Sequence, residues 1–307
     1  LKLTFERMIC MSIFTGSAVA LVTPFINNQV DYKALEKLIE WHLEAKTDAI
    51  VVCGTTGESC TLSKDEKKDV IAFTIKKVSG RVPVIAGTGG NNTQEVIEMS
   101  LFAEGIGADA LLLVTPYYNK TTQRGLVAHY FAIADQVNIP IILYNVPSRT
   151  GLNIQPETVK ELATHKNIVA IKEASGDLSQ IAKIARLCPD GFDIYSGNDD
   201  QILPVLSLGG VGVISVVANI LPDETHQICE LYFNGMTNPA TKLQLDMLDI
   251  INALFIETNP IPVKAALEIM GKINGELRLP LIPISDSNRE LLIKSIKNFN
   301  QSMGVSA

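Results

Sequence analysis

A chain of 307 residues, 47% hydrophobic and 19% charged, is long enough for one large α/β domain or two smaller ones. Its net charge of -7 and the lack of a basic run argue against a nucleic-acid partner, because phosphate binding requires clustered lysine and arginine. Five cysteines without a C-x-x-C pair indicate neither a disulfide framework nor a zinc site, and no apolar run has the roughly 18–20 residues of a membrane span, so we expect a cytoplasmic protein.

Residues 1–12 are predicted to form an extension ahead of the domain, with Met8 and Met11 as candidate natural starts. From residue 13 to residue 220, short apolar runs alternate with amphipathic segments whose apolar residues recur every three or four positions. Near-continuous apolar strands separated by helices indicate a parallel sheet that is buried on both faces. The runs are Ser17–Val22, Ala49–Cys53, Val82–Ala86, Ala110–Val114, Pro140–Tyr144, Ile168–Lys172, Phe192–Ser196 and Val211–Val216. Eight strand–helix repeats predict a closed (β/α)8 TIM barrel.

Two further patterns refine this prediction. Ser63, followed three residues later by Glu66, predicts a capping box at the start of the second helix. After residue 220 only helical periodicity continues, so residues 221–307 are predicted to form a helical C-terminal region packed on the barrel.

Polar clusters follow almost every apolar run at its C-terminal end. In a closed barrel these ends meet at one face, which carries the active site in enzymes of this architecture. The clusters are Thr23-Pro24, Gly54–Ser59, Gly87–Gly90, Thr115–Asn119, Asn145–Gly151, Lys172–Ala174 and Gly197–Asp200.

Lys172 stands where a buried strand meets a loop, directly after Ile168–Ile171. Desolvation can bring the pKa of a lysine from about 10.4 to about 7–8, which makes the neutral amine available as a nucleophile. The alternative is a lysine whose stem packs at the strand end while its ammonium reaches water.

The segment Gly54–Gly57 offers successive backbone amides and two hydroxyls, which suit either a nest for a carboxylate or phosphate or a tight turn. A dinucleotide site at Gly87–Gly90 is not expected, because Asn92 stands where the fingerprint requires glycine. The phenols of Tyr117, Tyr118 and Tyr144 could relay protons or simply pack.

Arg149 could clamp a substrate carboxylate or form a surface ion pair. The four histidines lack metal-ligand spacing. Asp199-Asp200 could bind a cation but more simply begins the seventh helix.

Taken in order, these motifs resemble the 4-hydroxy-tetrahydrodipicolinate synthase family, also called the dihydrodipicolinate synthases, over about residues 13–300. The likeness is carried by Gly54–Ser59, Thr115–Asn119, Tyr144–Gly151, Lys172–Ala174, Gly209–Ser215 and Asn259–Lys264. In that family pyruvate forms a Schiff base with a lysine, and the enamine attacks L-aspartate 4-semialdehyde on the diaminopimelate and lysine pathway, without a metal or another cofactor.

The resemblance implies a role for each matching residue. Lys172 would be the Schiff-base nucleophile, with Tyr144 over it to move protons, and Thr55 would link Tyr144 to Tyr118 from a neighbouring subunit. A borrowed Tyr118 implies at least a homodimer, and the family implies a homotetramer built as a dimer of dimers.

The resemblance also implies how the substrates bind. Thr56 and the backbone around Thr55 would hold the pyruvate carboxylate, and Arg149 would hold the carboxylate of the semialdehyde. Gly197 and the carbonyl of Ile214 would line the pocket.

A regulatory cleft is implied as well. Family members inhibited by lysine use a cleft whose matching residues here are Ser59, Lys64, Lys67, Asn91, Glu95 and Tyr117. Sensitive members often carry histidine at the positions of Lys64 and Lys67, and ammonium groups there would repel a cationic effector. We therefore expect lysine to inhibit weakly or not at all.

Two alternatives remain open. N-acetylneuraminate lyase and 2-keto-3-deoxy-sugar-acid aldolases share the barrel, the lysine and the first tyrosine, although Thr56, Tyr118 and Arg149 favour the synthase. A non-catalytic keto-acid-binding barrel would have kept the fold without turnover. Whether Cys53 and Cys60 make the site sensitive to oxidation, or only pack, is likewise open.

Overall fold

The computed structural model describes residues 12–302. Within them, eight parallel strands close into a barrel: each pairs with the barrel strand before it and the one after it in the chain, and the first strand pairs with both the second and the last. The barrel strands are β1 Gly16–Ala20, β4 Ala49–Val52, β5 Val84–Gly87, β6 Ala110–Val114, β7 Ile141–Asn145, β8 Ile168–Glu173, β9 Asp193–Ser196 and β10 Gly212–Ser215. The predicted (β/α)8 barrel is confirmed. The predicted extension at residues 1–12 lies outside the described residues, apart from Ser12.

Helices connect the strands and continue after the last one. They are α1 Tyr32–Glu44, α2 Lys64–Val78, α3 Thr93–Gly105, α4 Gln123–Ala134, α5 Pro147–Thr150, α6 Pro156–Leu162, α7 Leu178–Leu187, α8 Ile202–Ser207, α9 Pro222–Phe233, α10 Thr237–Asp246, α11 Leu248–Ala253, α12 Ile261–Ile269 and α13 Asp286–Ser302. The predicted capping box of α2 is present, because the Ser63 hydroxyl accepts from the Glu66 amide and the Glu66 carboxylate accepts from the Ser63 amide.

One local feature differs from the sequence prediction. A two-stranded hairpin follows β1, formed by β2 Phe25–Ile26 and β3 Gln29–Val30, and it escaped prediction because strands of two residues are too short to show alternation. Asn27 and Asn28 both adopt positive φ, as a tight hairpin turn requires. The predicted boundary at residue 220 stays a prediction; α9, which it assigns to the C-terminal region, contacts β1 and α8 of the barrel.

Two apolar layers position the site. One lies between the strands and the helices, and the other fills the barrel interior. At the N-terminal end of the interior, Tyr195 stacks on Phe14 with ring centroids 4.3 Å apart, and its hydroxyl donates to the Phe14 carbonyl. Small side chains such as Ala18, Ala20 and Ala170 occupy the middle, so the C-terminal end has room for a cavity. No helix in the described part of the chain is long and apolar enough to cross a membrane.

Candidate active site

Lys172 lies inside the barrel near the C-terminal end of β8. Because side chains alternate along a strand, Lys172 and Ala170 face the interior while Ile171 and Glu173 face the helices. Lys172 is 4% exposed, and its Nζ lies 4.5 Å from the centroid of the Tyr144 ring, across the β7–β8 pair. Within residues 12–302, this Nζ donates no hydrogen bond. Lys172 is therefore a buried amine that faces a phenol.

A buried polar network lies directly behind Lys172. The Glu173 carboxylate accepts from Asn145 Nδ2 at 3.0 and 3.1 Å, from Gln180 Nε2 at 3.1 Å and from the Ser175 amide at 2.7 Å. Burial raises the pKa of Glu173, and this effect outweighs the hydrogen bonds from these donors, which lower it. Sequence reasoning assigned Glu173 no role, although a charged residue within a buried run is itself a signal. The network joins the ends of β7 and β8, which carry Tyr144 and Lys172.

The turn after β4 places Thr55 and Thr56 at the same end of the barrel as Lys172. Thr56 is 3% exposed, and its Oγ1 accepts from Asn259 Nδ2 at 3.0 Å. The backbone amides of Thr55 and Thr56 have no acceptor among the described residues. Gly57 packs tightly, since a Cβ there would lie 3.1 Å from the Leu21 carbonyl oxygen. Free amides beside a buried hydroxyl suit a carboxylate ligand.

Arg149 lies on the short helix α5, which follows β7. Its Nη2 donates to the Asn259 carbonyl at 3.0 Å, while the side chain remains exposed at the rim. Asn259 therefore contacts both Thr56 and Arg149, a connection that the sequence did not predict.

A cavity of about 830 Å³ opens at this end of the barrel. The structure brings six of the predicted site residues together in its wall: Thr55, Thr56, Tyr144, Arg149, Lys172 and Gly197. Gly197 leaves no space for a side chain, because a Cβ would lie 2.6 Å from the Ala174 Cβ. Ile214 is fully buried in the barrel interior, and Val216, two residues further along, lines the cavity. The predicted role of the Ile214 carbonyl stays a prediction.

Asp199 also lines this cavity, whereas the sequence indicated for it either a cation ligand or the start of a helix. It begins a short 3-10 helix, Asp199–Gln201, and its Oδ2 accepts from the Val216 and Val217 amides at 3.1 and 2.8 Å. Burial raises the pKa of this carboxyl group. No cluster of His, Cys, Asp or Glu within residues 12–302 is arranged to hold a metal ion.

Tyr118 lies apart from the cavity of its own chain. It is 93% exposed and adopts φ 70°, an unfavourable backbone conformation for a bulky residue. In the described chain Tyr118 makes no hydrogen bond to Thr55 or Tyr144. Its predicted role in a neighbouring subunit stays a prediction.

A second cavity of about 240 Å³ adjoins the first through Thr55, Tyr144 and Arg149. Its far wall contains Ser59, Cys60, Lys67 and Tyr117. Burial and the neighbouring Cys60 thiol raise the pKa of Tyr117 to about 12.

Three further residues of the predicted cleft surround that wall. Asn91 Nδ2 donates to the Tyr117 carbonyl, and Glu95 lies close enough to interact electrostatically with Tyr117. Lys64 forms an ion pair with Glu98, so its charge is already partly neutralised. The predicted repulsion of a cationic effector stays a prediction, and the ion pair of Lys64 leaves Lys67 as the ammonium group on which it mainly depends.

Comparison with known proteins identifies close relatives. Residues 13–299 match the model of the dihydrodipicolinate synthetase family. The chain is 62% identical over 289 residues to the 4-hydroxy-tetrahydrodipicolinate synthase of Clostridium tetani (94% of this chain, 98% of that one). It is 57% identical over 292 residues to that of Clostridium novyi (95% and 99%). The solved 4-hydroxy-tetrahydrodipicolinate synthase of Methylacidiphilum fumariolicum superposes with a TM-score of 0.93 at 43% identity, covering 94% of this chain and 97% of that one.

Proposed function

The chain belongs to the dihydrodipicolinate synthetase family, and we propose that it condenses pyruvate with L-aspartate 4-semialdehyde to give 4-hydroxy-tetrahydrodipicolinate. It is a lyase of diaminopimelate and lysine biosynthesis. The observation that carries the chemistry is the buried Lys172 amine, which faces Tyr144 in a cavity with the turn of Thr55 and Thr56 at one side and Arg149 at its rim.

The first half of the reaction activates pyruvate. The turn at Thr55 and Thr56 holds the pyruvate carboxylate, which brings C2 toward Lys172. The neutral Lys172 amine attacks C2, and loss of water from the carbinolamine leaves an iminium. Tyr144 moves the protons that this dehydration requires. Loss of a proton from C3 then gives the enamine, so Lys172 supplies the electron sink and no cofactor is needed.

The second half joins the two substrates. Arg149 holds the carboxylate of the semialdehyde, and C3 of the enamine attacks its aldehyde carbon. The C=O π electrons move to the aldehyde oxygen, which takes up a proton and becomes the hydroxyl group. The amino group of the semialdehyde then displaces Lys172 at C2, which closes the ring and frees the enzyme. About 830 Å³ is ample for both small substrates.

Assembly is part of the proposal. Tyr118 is exposed in its own chain, so we place it in the proton relay of a neighbouring subunit, beside Thr55 and Tyr144. This arrangement requires at least a homodimer, and a dimer of dimers would give the homotetramer. We place the reaction in the cytoplasm.

The test is intact-protein mass spectrometry after incubation with pyruvate and sodium borohydride. Wild type should gain one reduced pyruvate adduct, Lys172→Ala should gain none, and Lys183→Ala, which alters an exposed lysine on α7, should behave like wild type. A coupled assay with aspartate 4-semialdehyde follows. An adduct without turnover would indicate a sugar-acid aldolase, and no adduct on wild type would refute the role of Lys172.

A further inference from the structure

A buried ion pair ends the turn that carries Thr55 and Thr56. Glu58, the last residue of the turn, is 4% exposed, and Lys264 on α12 is fully buried. Lys264 Nζ lies 2.6 Å from Glu58 Oε1, although the two residues are 206 positions apart in the chain. The C-terminal region therefore reaches into the wall of the barrel directly beneath the turn.

The same ammonium group also holds the turn through Thr23, which lies between β1 and β2. Lys264 Nζ donates to the Thr23 carbonyl at 2.9 Å, and the Thr23 hydroxyl donates to the Gly57 carbonyl at 2.8 Å. The second carboxylate oxygen of Glu58 accepts from the Arg278 amide at 3.2 Å. Two consecutive residues of the turn, Gly57 and Glu58, are thus tied to three separate segments.

The hairpin that follows β1 completes this arrangement. The Phe25 ring of β2 lies 4.2 Å from Lys264 Nζ and 4.4 Å from the guanidinium carbon of Arg278, measured to the ring centroid. Both distances are within the range of a cation–π contact. The two cations are therefore held in place by the ring as well as by their carboxylate partners.

Stability alone does not account for these contacts. A buried ion pair is about as stable as well-packed apolar residues of the same volume, because desolvation offsets the Coulomb attraction. The turn, by contrast, needs restraint, since Cys53 at its start and Glu58 at its end adopt φ values of 56° and 52°. Residues other than glycine adopt this left-handed conformation only when surrounding contacts enforce it.

We propose that Glu58 and Lys264 are positioning residues for pyruvate, which hold the turn so that the Thr55 and Thr56 amides and the Thr56 hydroxyl face the substrate carboxylate. Neither side chain lines the cavity, so both act through the turn. The inference rests on the proposed function, because it assumes that this turn binds pyruvate.

The test replaces the pair without leaving a buried charge. In Glu58→Gln/Lys264→Met we expect the pyruvate concentration that half-saturates borohydride trapping at Lys172 to rise about tenfold, as for one weakened hydrogen bond to a charged group. The KM for the semialdehyde and kcat at saturating pyruvate should stay within about twofold of wild type, which a general loss of structure would not allow.

The matched control is Glu268→Gln/Arg289→Met, which removes an exposed ion pair between α12 and α13 and should leave the half-saturating concentration unchanged. A folded Glu58→Gln/Lys264→Met protein with an unchanged half-saturating pyruvate concentration would overturn the inference. An equal loss of affinity for pyruvate and for the semialdehyde would overturn it as well. If the double variant does not fold, Glu58→Asp decides, because it keeps both charges and shortens the carboxylate's reach toward Lys264 by one methylene: about a threefold rise supports the proposal, and no change overturns it. Absence of any adduct on wild type would instead refute the proposed function.

Discussion

Replacing Thr56 by valine tests the carboxylate-binding turn at a single atom. Valine keeps the shape of threonine and replaces only the hydroxyl by a methyl group. In the structure Thr56 Oγ1 accepts from Asn259 Nδ2, so its own proton is free to be donated to a second acceptor. The proposed acceptor is the carboxylate of pyruvate.

The expected effects on kinetics and on stability follow from the two hydrogen bonds of the Thr56 hydroxyl, one to the pyruvate carboxylate and one from Asn259 Nδ2. A hydrogen bond to a charged group contributes about 1.5–3 kcal/mol, so kcat/KM for pyruvate should fall about 10- to 140-fold. The variant also leaves Asn259 Nδ2 without its acceptor, and Asn259 Oδ1 already has no partner within residues 12–302. An orphaned buried amide costs about 1–3 kcal/mol, so the free energy of unfolding should fall by that amount.

Steady-state kinetics and urea unfolding measure the two effects separately. Thr56→Ser is the control, because it keeps the hydroxyl and should recover most of the pyruvate affinity. If Thr56→Val bound and turned over pyruvate like wild type, the turn would not be the carboxylate site. A fall in stability without a change in kcat/KM would assign the hydroxyl to Asn259 alone.

Three other measurements address different parts of the molecule. Gly197→Ala would place a Cβ 2.6 Å from that of Ala174, so we expect about 1–3 kcal/mol of destabilisation by urea unfolding together with slower turnover, and normal values for both would contradict the geometry. Arg278 holds the pKa of Glu66 at about 2, below its ordinary value of 4.5, so the stability contributed by Glu66 is present above pH 4.5 and is lost as pH falls toward 2. The difference in urea midpoint between wild type and Glu66→Gln should therefore shrink in acid, and a constant difference would refute this linkage. Because the Lys67 ammonium lines the second cavity, lysine should inhibit wild type weakly and Lys67→Ala more strongly; a submicromolar inhibition constant for wild type would contradict this expectation.

Most of the candidate site could be predicted because the barrel fold fixes where the ends of its strands lie. Once eight strands alternate with helices, the C-terminal ends of the strands must share one face, so residues such as Thr56, Tyr144 and Lys172 meet there. The residue roles came from the resemblance and stay predictions. The structure separates two predicted members from the cavity wall: Tyr118 is exposed outside it, and Ile214 is buried below it.

The contacts that organise the site could not be read from local patterns. Asn259 and Thr56 are 203 positions apart, and no periodicity or turn preference relates residues at that separation. The motif that contains Asn259 and Lys264 was visible in the sequence and carried part of the resemblance, but it indicated no contact. The hairpin at Phe25–Val30 was missed for a local reason: its two-residue strands are too short to show an alternating pattern.

The sequence by itself determined the barrel, the order of its elements and the face on which chemistry would occur, because strand and helix periods are properties of short windows and parallel strands align their ends. Only the tertiary structure decided that Asn259 contacts both Thr56 and Arg149, that Lys264 is buried against Glu58, and that the ammonium of Lys64 is already paired. These contacts depend on which distant segments pack against each other and on how much water they exclude, and neither quantity is encoded in any one stretch of the chain.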